Sequence, residues 1–291
     1  MRKFALLMSL LAILIAPALH AQGGSDPNVE EWRSKLRALD WVEGPRTISI
    51  GGNSTLSLPE GYVYLDAANT AKFEALNKNL GSGREVLIAP RSLRWSAYLA
   101  FEEAGYVKDS EKIDADAILK TLQQRTEESN AQRQRLGYPE LHVIGWSIPP
   151  AYNSVTKRLE WATVLRAPQG DDVNFFTKIL GRRGFTSVVL VSAPDDTASA
   201  VATLDDVLTG YRFNTGNTYA EWRPGDKVAE YGLTGLIVGG AVAAAVKTGL
   251  LKGAWKFILT AVVALWKVIG AACLALVAAL RSMFKRKQVR S

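Results

Sequence analysis

Apolar side chains recur at Val29, Trp32, Leu36 and Leu39, the spacing of one helix face. Ser25-Asp26-Pro27 just before them supplies a capping side chain and a proline for the first turn. Glu30 and Glu31 stand early and Arg33, Lys35 and Arg37 late, as the helix dipole prefers. Gly44-Pro45 ends this segment, and short strands are predicted over residues 47–50, 55–58 and 62–65. Gly51-Gly52-Asn53 and Pro59-Glu60-Gly61 make the turns between them. Phe73, Leu76 and Leu80 fall in register for a helix over residues 69–80, which Gly81-Ser82-Gly83 stops.

The next strands are residues 85–89 and 93–101. In the second, Leu93, Trp95, Ala97, Leu99 and Phe101 alternate with Arg94, Ser96, Tyr98 and Ala100, which predicts one buried face. Asp114 caps a long helix running toward Gly137, apolar at Ile118, Leu119 and Leu122 but polar after Gln123, so its second half is expected on the surface. Residues 141–148 return to strand, and Pro149-Pro150, unable to donate to a ladder, belongs at an edge or turn. Residues 157–166, 173–180 and 185–191 predict three neighbouring antiparallel strands. The run 188–191 is apolar on both faces and is therefore central, with helices over the sheet. Asp195 is expected to cap a last helix, with Val201, Leu204 and Leu208 inward. The fold class is α+β: a mostly antiparallel sheet layered with helices, plus a C-terminal transmembrane helix.

The two ends of the chain place that domain. Arg2 and Lys3 precede an apolar run over 4–15, then Pro17 and small residues, the pattern of a secretory signal peptide over residues 1–21; an uncleaved N-terminal anchor is the alternative. At the other end, residues 257–280 are apolar except for Lys267, and about 20 such residues cross a bilayer. A central Lys costs roughly 2.5–3.5 kcal/mol, and the dozen large apolar residues, each worth roughly 0.3–0.6 kcal/mol, outweigh it. Residues 231–256 form a small-residue apolar segment, interfacial, re-entrant or packed on the anchor. The basic end 281–291 is expected to be cytoplasmic by the positive-inside rule, with residues 22–230 as an extracytoplasmic domain on the inner membrane. A two-span hairpin ranks second, because it leaves the basic end outside.

This partition changes the meaning of the net charge of +7. Residues 231–291 contain no acid, whereas residues 22–230 hold 24 Lys and Arg against all 28 Asp and Glu. The domain is thus acidic, and nucleic acid is excluded as its partner. The single Cys, Cys273, lies in the predicted span, so no intramolecular disulfide forms.

Chemistry is sparse. His142 is the one histidine of residues 22–230, which excludes a His-rich zinc site and leaves it a structural or surface role. No phosphate-cradling loop is present, since Gly81-Ser82-Gly83 leads into a strand. Glu102, Glu103, Glu140 and Glu160 are candidate carboxylates for hydrolysis, and Arg182 and Arg183 sit on a hairpin turn that is more simply solvated than anion-binding. The group singled out is Trp146, Pro149, Pro150, Tyr152, Asn153, Glu160 and Trp161, a groove for a peptide or glycan. The competing and favoured reading is that Trp146 and Trp161 fill the core while the prolines set the turn. No cofactor or metal is expected.

Several stretches carry a resemblance. Gly105-Tyr106-Val107-Lys108-Asp109, residues 130–133 leading to Gly137, Gly145-Trp146-Ser147-Ile148-Pro149-Pro150-Ala151-Tyr152, Leu159-Glu160-Trp161-Ala162 and Leu180-Gly181-Arg182-Arg183-Gly184 resemble the domain of unknown function 2167 family. The resemblance implies bacterial membrane-anchored proteins with an exported domain and carries no catalytic residues. The order of a Pro-Glu-Gly-Tyr opening, a strand meander, Ser192-Ala193-Pro194, a helix and Tyr211-Arg212-Phe213 is also similar to domains of the PsbP and Mog1 type. The expectation that follows is a membrane-anchored module binding an envelope protein or ligand, held to the bilayer by its C-terminal helix, its oligomeric state open. Two alternatives stand beside it: a carboxylate-dependent envelope hydrolase, and a membrane-active or oligomerising tail, in which Lys252, Lys256, Thr260 and Lys267 form one helical stripe.

Overall fold

A computed structural model describes residues 27–239. The signal segment 1–21, the part of 231–256 beyond Gly239, the span 257–280 with its Lys252, Lys256, Thr260 and Lys267 stripe, and the basic end 281–291 lie outside the described residues. Among the described residues no helix is long and apolar enough to cross a membrane.

The described residues begin with α1 (Pro27–Arg37), then β1 (Val42–Glu43), β2 (Arg46–Ile50), β3 (Ser54–Leu58), β4 (Tyr62–Leu65) and α2 (Ala67–Leu76). The chain continues through β5 (Val86–Pro90), β6 (Trp95–Glu102), α3 (Ala115–Arg135) and the meander β7 (His142–Asn153), β8 (Arg158–Ala167), β9 (Gly170–Leu180) and β10 (Phe185–Ser192). α4 (Thr197–Leu208), β11 (Tyr211–Phe213) and α5 (Leu233–Val238) complete it. Eight strands form one antiparallel sheet in the order β1-β4-β5-β6-β10-β9-β8-β7, and a small second sheet runs β11-β3-β2. The α+β class with a large antiparallel sheet and helices is therefore correct, and β10 stands centrally, as its apolar run requires.

Both faces of the large sheet are covered. On one, Phe73 of α2, Ile118 and Leu122 of α3 and Leu233, Leu236 and Ile237 of α5 pack against Leu87, Tyr98, Val189, Phe176 and Trp161. On the other, Ile48, Ile50, Leu56 and Leu58 of the small sheet and Ala200, Leu204 and Val207 of α4 pack against Ile88, Leu99, Val188, Leu190 and Phe175. This double cover corrects the expectation for β6. Its residues 95–100 are all buried, because the face carrying Ser96 and Tyr98 lies under helices and the face carrying Trp95, Ala97 and Leu99 lies under the second sheet.

Element ends differ for local reasons. α2 begins earlier than expected because Asp66 accepts from the Asn69 N–H at 2.8 Å. It stops at Asn77, whose Nδ2 donates to the Phe73 carbonyl at 2.8 Å, and Lys78 follows with φ of 55°. β6 starts after Leu93 because that residue takes φ of 53°. Asp195 does not cap α4: residues 194–196 form a short 3-10 turn first, and the helix starts at Thr197 without a side-chain cap.

Two larger corrections concern α3 and α5. The second half of α3 is polar yet not wholly on the surface, since Thr126, Asn130 and Arg133 are buried. Asn130 donates to the Leu141 carbonyl at 2.8 Å and accepts from the Leu141 N–H at 3.0 Å, and Arg133 donates to the carbonyls of Pro139 and Lys78. The helix thus grips loop backbone where apolar packing stops. Residues 233–238, read from sequence as part of an interfacial segment beyond residue 230, are all buried and belong to the core under α3.

Candidate functional site

A cleft of about 850 Å³ opens at the end of the sheet where the β7–β8 turn faces α4 and β11. Asn153 shapes its near wall: its Oδ1 accepts from the backbone N–H groups of Val155 and Thr156 at 2.9 and 3.1 Å, the local bonding that makes Asn a turn former. Lys157 follows at φ of 56°. Ile179 and Leu180 at the end of β9 line the cleft, with Asp205 and Leu208 of α4 and Tyr211, Arg212 and Phe213 of β11 across from the turn, and Thr218, Tyr219 and Ala220 complete it.

Most of its charges are held in pairs. Arg158 Nη1 lies 2.9 Å from Asp205 Oδ1 and 3.8 Å from Glu160 Oε1, so one guanidinium joins both carboxylates. Thr177 also donates to Glu160 at 3.2 Å. Burial, and then the charge of Asp205, push the Glu160 carboxyl above its ordinary range against the pull of Thr177 and Arg158. Lys157 Nζ sits 2.9 Å from Asp109 Oδ2, which also accepts from the Tyr152 hydroxyl at 2.8 Å. Burial pushes the Asp109 carboxyl up, but these hydrogen bonds and the ammonium outweigh it and hold it low. The same ammonium lies 4.8 Å from the Tyr219 ring centroid, a cation–π distance, and Tyr219 stacks on Tyr106 at 4.4 Å. Tyr211 is fixed by a 2.6 Å bond between its hydroxyl and Thr186, and burial pushes its phenol up to about 12. Arg212 differs from its neighbours. Its guanidinium donates to the carbonyls of Thr209 and Tyr211, is exposed, and has no carboxylate partner among the described residues.

The group singled out from sequence is divided by the sheet. Successive residues of a strand point to opposite faces, so Glu160 lines the cleft while Trp161 lies beneath the helices, 1% exposed and stacked on Phe176 at 4.9 Å. Asn153 joins Glu160 in the cleft. Trp146 and Tyr152 pack against the helix-covered core, with the Trp146 indole donating to the Ala115 carbonyl at 3.3 Å. Pro149 is exposed and Pro150 half-buried on β7, the edge strand, amid register shifts. The other named carboxylates do not meet Glu160: Glu102 pairs with Arg84 at 3.1 Å, Glu103 is exposed, and Glu140 lies beside Gln134 and His142. His142 bonds Glu127 at 2.7 Å on the surface. Arg182 is clamped to Asp226 at 2.6 and 2.8 Å. Among the described residues, no group of three or more His, Cys, Asp or Glu converges to hold a metal.

Arg158, Asp205, Arg212 and Tyr219 were not singled out, since they come from four separate segments. Tyr211-Arg212-Phe213 stood out only as a marker of fold.

The solution structure of cyanobacterial PsbP (CyanoP) from Synechocystis sp. PCC 6803 is similar to this chain at 9% identity and a TM-score of 0.34, covering 67% of this chain and 99% of that one. A search of curated proteins finds no match. A family model described as "Protein of unknown function (DUF2167)" matches residues 42–272, well over half of the sequence, and the chain belongs to that family.

Proposed function

We propose that this protein is a membrane-tethered extracytoplasmic module that binds an envelope protein or ligand in the cleft between the β7–β8 turn and β11. The observation that carries the reading is the cleft itself: about 850 Å³, edged by aromatic rings, with its lysine and Arg158 held in ion pairs and Arg212 without a carboxylate partner among the described residues. Concave sites with a few placed polar groups are where ligands bind. The tether and the export rest on the apolar runs at both ends of the sequence and on the basic end 281–291. A photo-crosslinking residue at Ala220 in the full chain, expressed in intact bacterial cells, is expected to capture an envelope component. The same residue at Leu136, exposed on another part of the surface, serves as reference. Equal or absent capture at Ala220 removes the binding reading.

Glu160 supports a second reading, an envelope hydrolase. A half-buried carboxyl held above its ordinary range beside a second carboxylate resembles the way glycosidases divide acid and base roles, and here Glu160 is the first and Asp205 the second. Turnover of peptidoglycan or oligosaccharides by the full chain, abolished in Glu160→Gln, is the expected result; inactivity across those substrates sinks it.

A further inference from the structure

Resting on the cleft reading, we propose that the ligand is an extended, acidic peptide segment that adds as a strand to the free edge of β11. Among the described residues, β11 is an end strand of its sheet and pairs with β3 alone. Its flanks fix which backbone groups are spent: Ser57 donates to the Gly210 carbonyl at 3.1 Å and Asn214 donates to the Asn53 carbonyl at 2.9 Å. In an antiparallel pair, alternate residues turn their N–H and C=O toward the partner. Residues 210, 212 and 214 therefore face β3, and Tyr211 and Phe213 present theirs away from β3. Of these outward groups, the Tyr211 carbonyl already accepts from Arg212, which leaves, among the described residues, two donors, the N–H groups of Tyr211 and Phe213, against one acceptor, the Phe213 carbonyl. Backbone groups turned outward along a strand edge are a template for another strand.

Natural edges are commonly blocked, and the long edge strand of this protein is: β7 carries Pro149, Pro150 and register shifts. β11 has neither, and its residues line the cleft. Charge selects the occupant. Arg158 is shared by Asp205 and Glu160 and Lys157 is paired with Asp109, so Arg212 is the cleft cation with no carboxylate partner among the described residues, and its fork suits a carboxylate. An Asp or Glu beside the strand-forming residues of the peptide meets that requirement.

The probe is a displayed random 12-residue peptide library selected on the full chain in detergent micelles, with counter-selection on Ala220→Trp, which narrows the cleft. Enriched peptides are expected to contain Asp or Glu and to bind about tenfold more weakly to Arg212→Glu, as loss of a charge-assisted bond implies. Methylating peptide backbone nitrogens one at a time is expected to weaken binding about tenfold at every second position, the period of a strand. Uniform tolerance of N-methylation overturns strand addition, while cleft-dependent binding and capture at Ala220 would leave the cleft reading intact. Failure to enrich any cleft-dependent peptide also overturns it. Ala220 crosslinks that map to this same chain, within one molecule or between copies, show the occupant to be its own sequence and overturn the foreign-peptide proposal.

Discussion

Glu74 is 3% exposed, and its Oε1 has no hydrogen-bond partner among the described residues. Burial, reinforced by the nearby charge of Glu85, raises its carboxyl from 4.5 to about 8. The folded protein therefore holds this proton more tightly than the unfolded chain does. The resulting penalty is absent below about pH 4.5, grows as pH rises through the interval, and is complete above about pH 8. Glu74→Gln keeps the shape and removes the charge, so it is expected to flatten stability against pH over that window and to stabilise at pH 8 by about 1–3 kcal/mol. Urea unfolding of both proteins at pH 5 and pH 8 checks this; equal slopes of stability with pH contradict it. Gly184 shows the opposite limit, a residue with no room to grow. A Cβ there would stand 1.9 Å from the Glu102 carbonyl oxygen, which β10 holds in register with β6. Gly184→Ala is expected to cost about 1–3 kcal/mol, read as a lower Tm, whereas alanine at Gly145, with nothing within 4 Å, leaves Tm within a degree or two of wild type.

At the scale of elements, α3 carries the most instructive departure from its sequence. An apolar stripe marks its first half, and that half packs as the stripe predicts. In the second half the stripe is continued by Thr126, Asn130 and Arg133, which periodicity of hydrophobicity cannot detect because the inward residues are polar. Thr126 donates to the Leu122 carbonyl of its own helix, whereas the partners of Asn130 and Arg133 are backbone groups of the loops beside α2 and before β7, and no local pattern in the sequence names those partners. Asn130→Ala removes two bonds to Leu141 and leaves buried backbone unsatisfied, at an expected cost of about 2–3 kcal/mol. Hydrogen exchange at the Leu141 amide should quicken with it, while Gln124→Ala on the exposed side of the same helix changes stability by less than about 0.5 kcal/mol. Matching losses for the two would show that the polar grip does not hold β7. The strands of the meander, by contrast, were legible, because alternation and turn residues are local signals.

For the whole molecule, the domain's core extends beyond residue 230. Leu233, Leu236, Ile237 and Val238 are between 0% and 6% exposed, and a fully buried side chain of this size contributes roughly 1.5–3 kcal/mol. A fragment of residues 22–230 is expected to unfold at several kcal/mol less than one of residues 22–243, or not to fold, as measured by urea titration; equal midpoints would show that α5 adds nothing. Sequence alone places the break near residue 230 because the acidic residues end there, and the apolar stretch that follows, too short to span, reads as an interfacial or re-entrant segment or as packing for the anchor. Composition cannot separate a helix buried in protein from one buried in lipid, since both exclude water.

The candidate site was legible only in part. Glu160 and Asn153 were found from their place beside a turn, and Trp161 was found with them but belongs to the opposite face of β8. The cleft needs Arg158, Asp205, Arg212 and Tyr219, which the order β9-β8-β7 and the packing of α4 and β11 bring together. What the sequence by itself determined was family, fold class, the succession of helices and strands, and a domain more acidic than the chain's net charge suggests, because each depends on local pattern or composition. Which strands share a buried face, which polar residues turn inward, and which distant side chains meet at the cleft were decided by tertiary structure alone, because those contacts join residues whose separation along the chain carries no periodic signal.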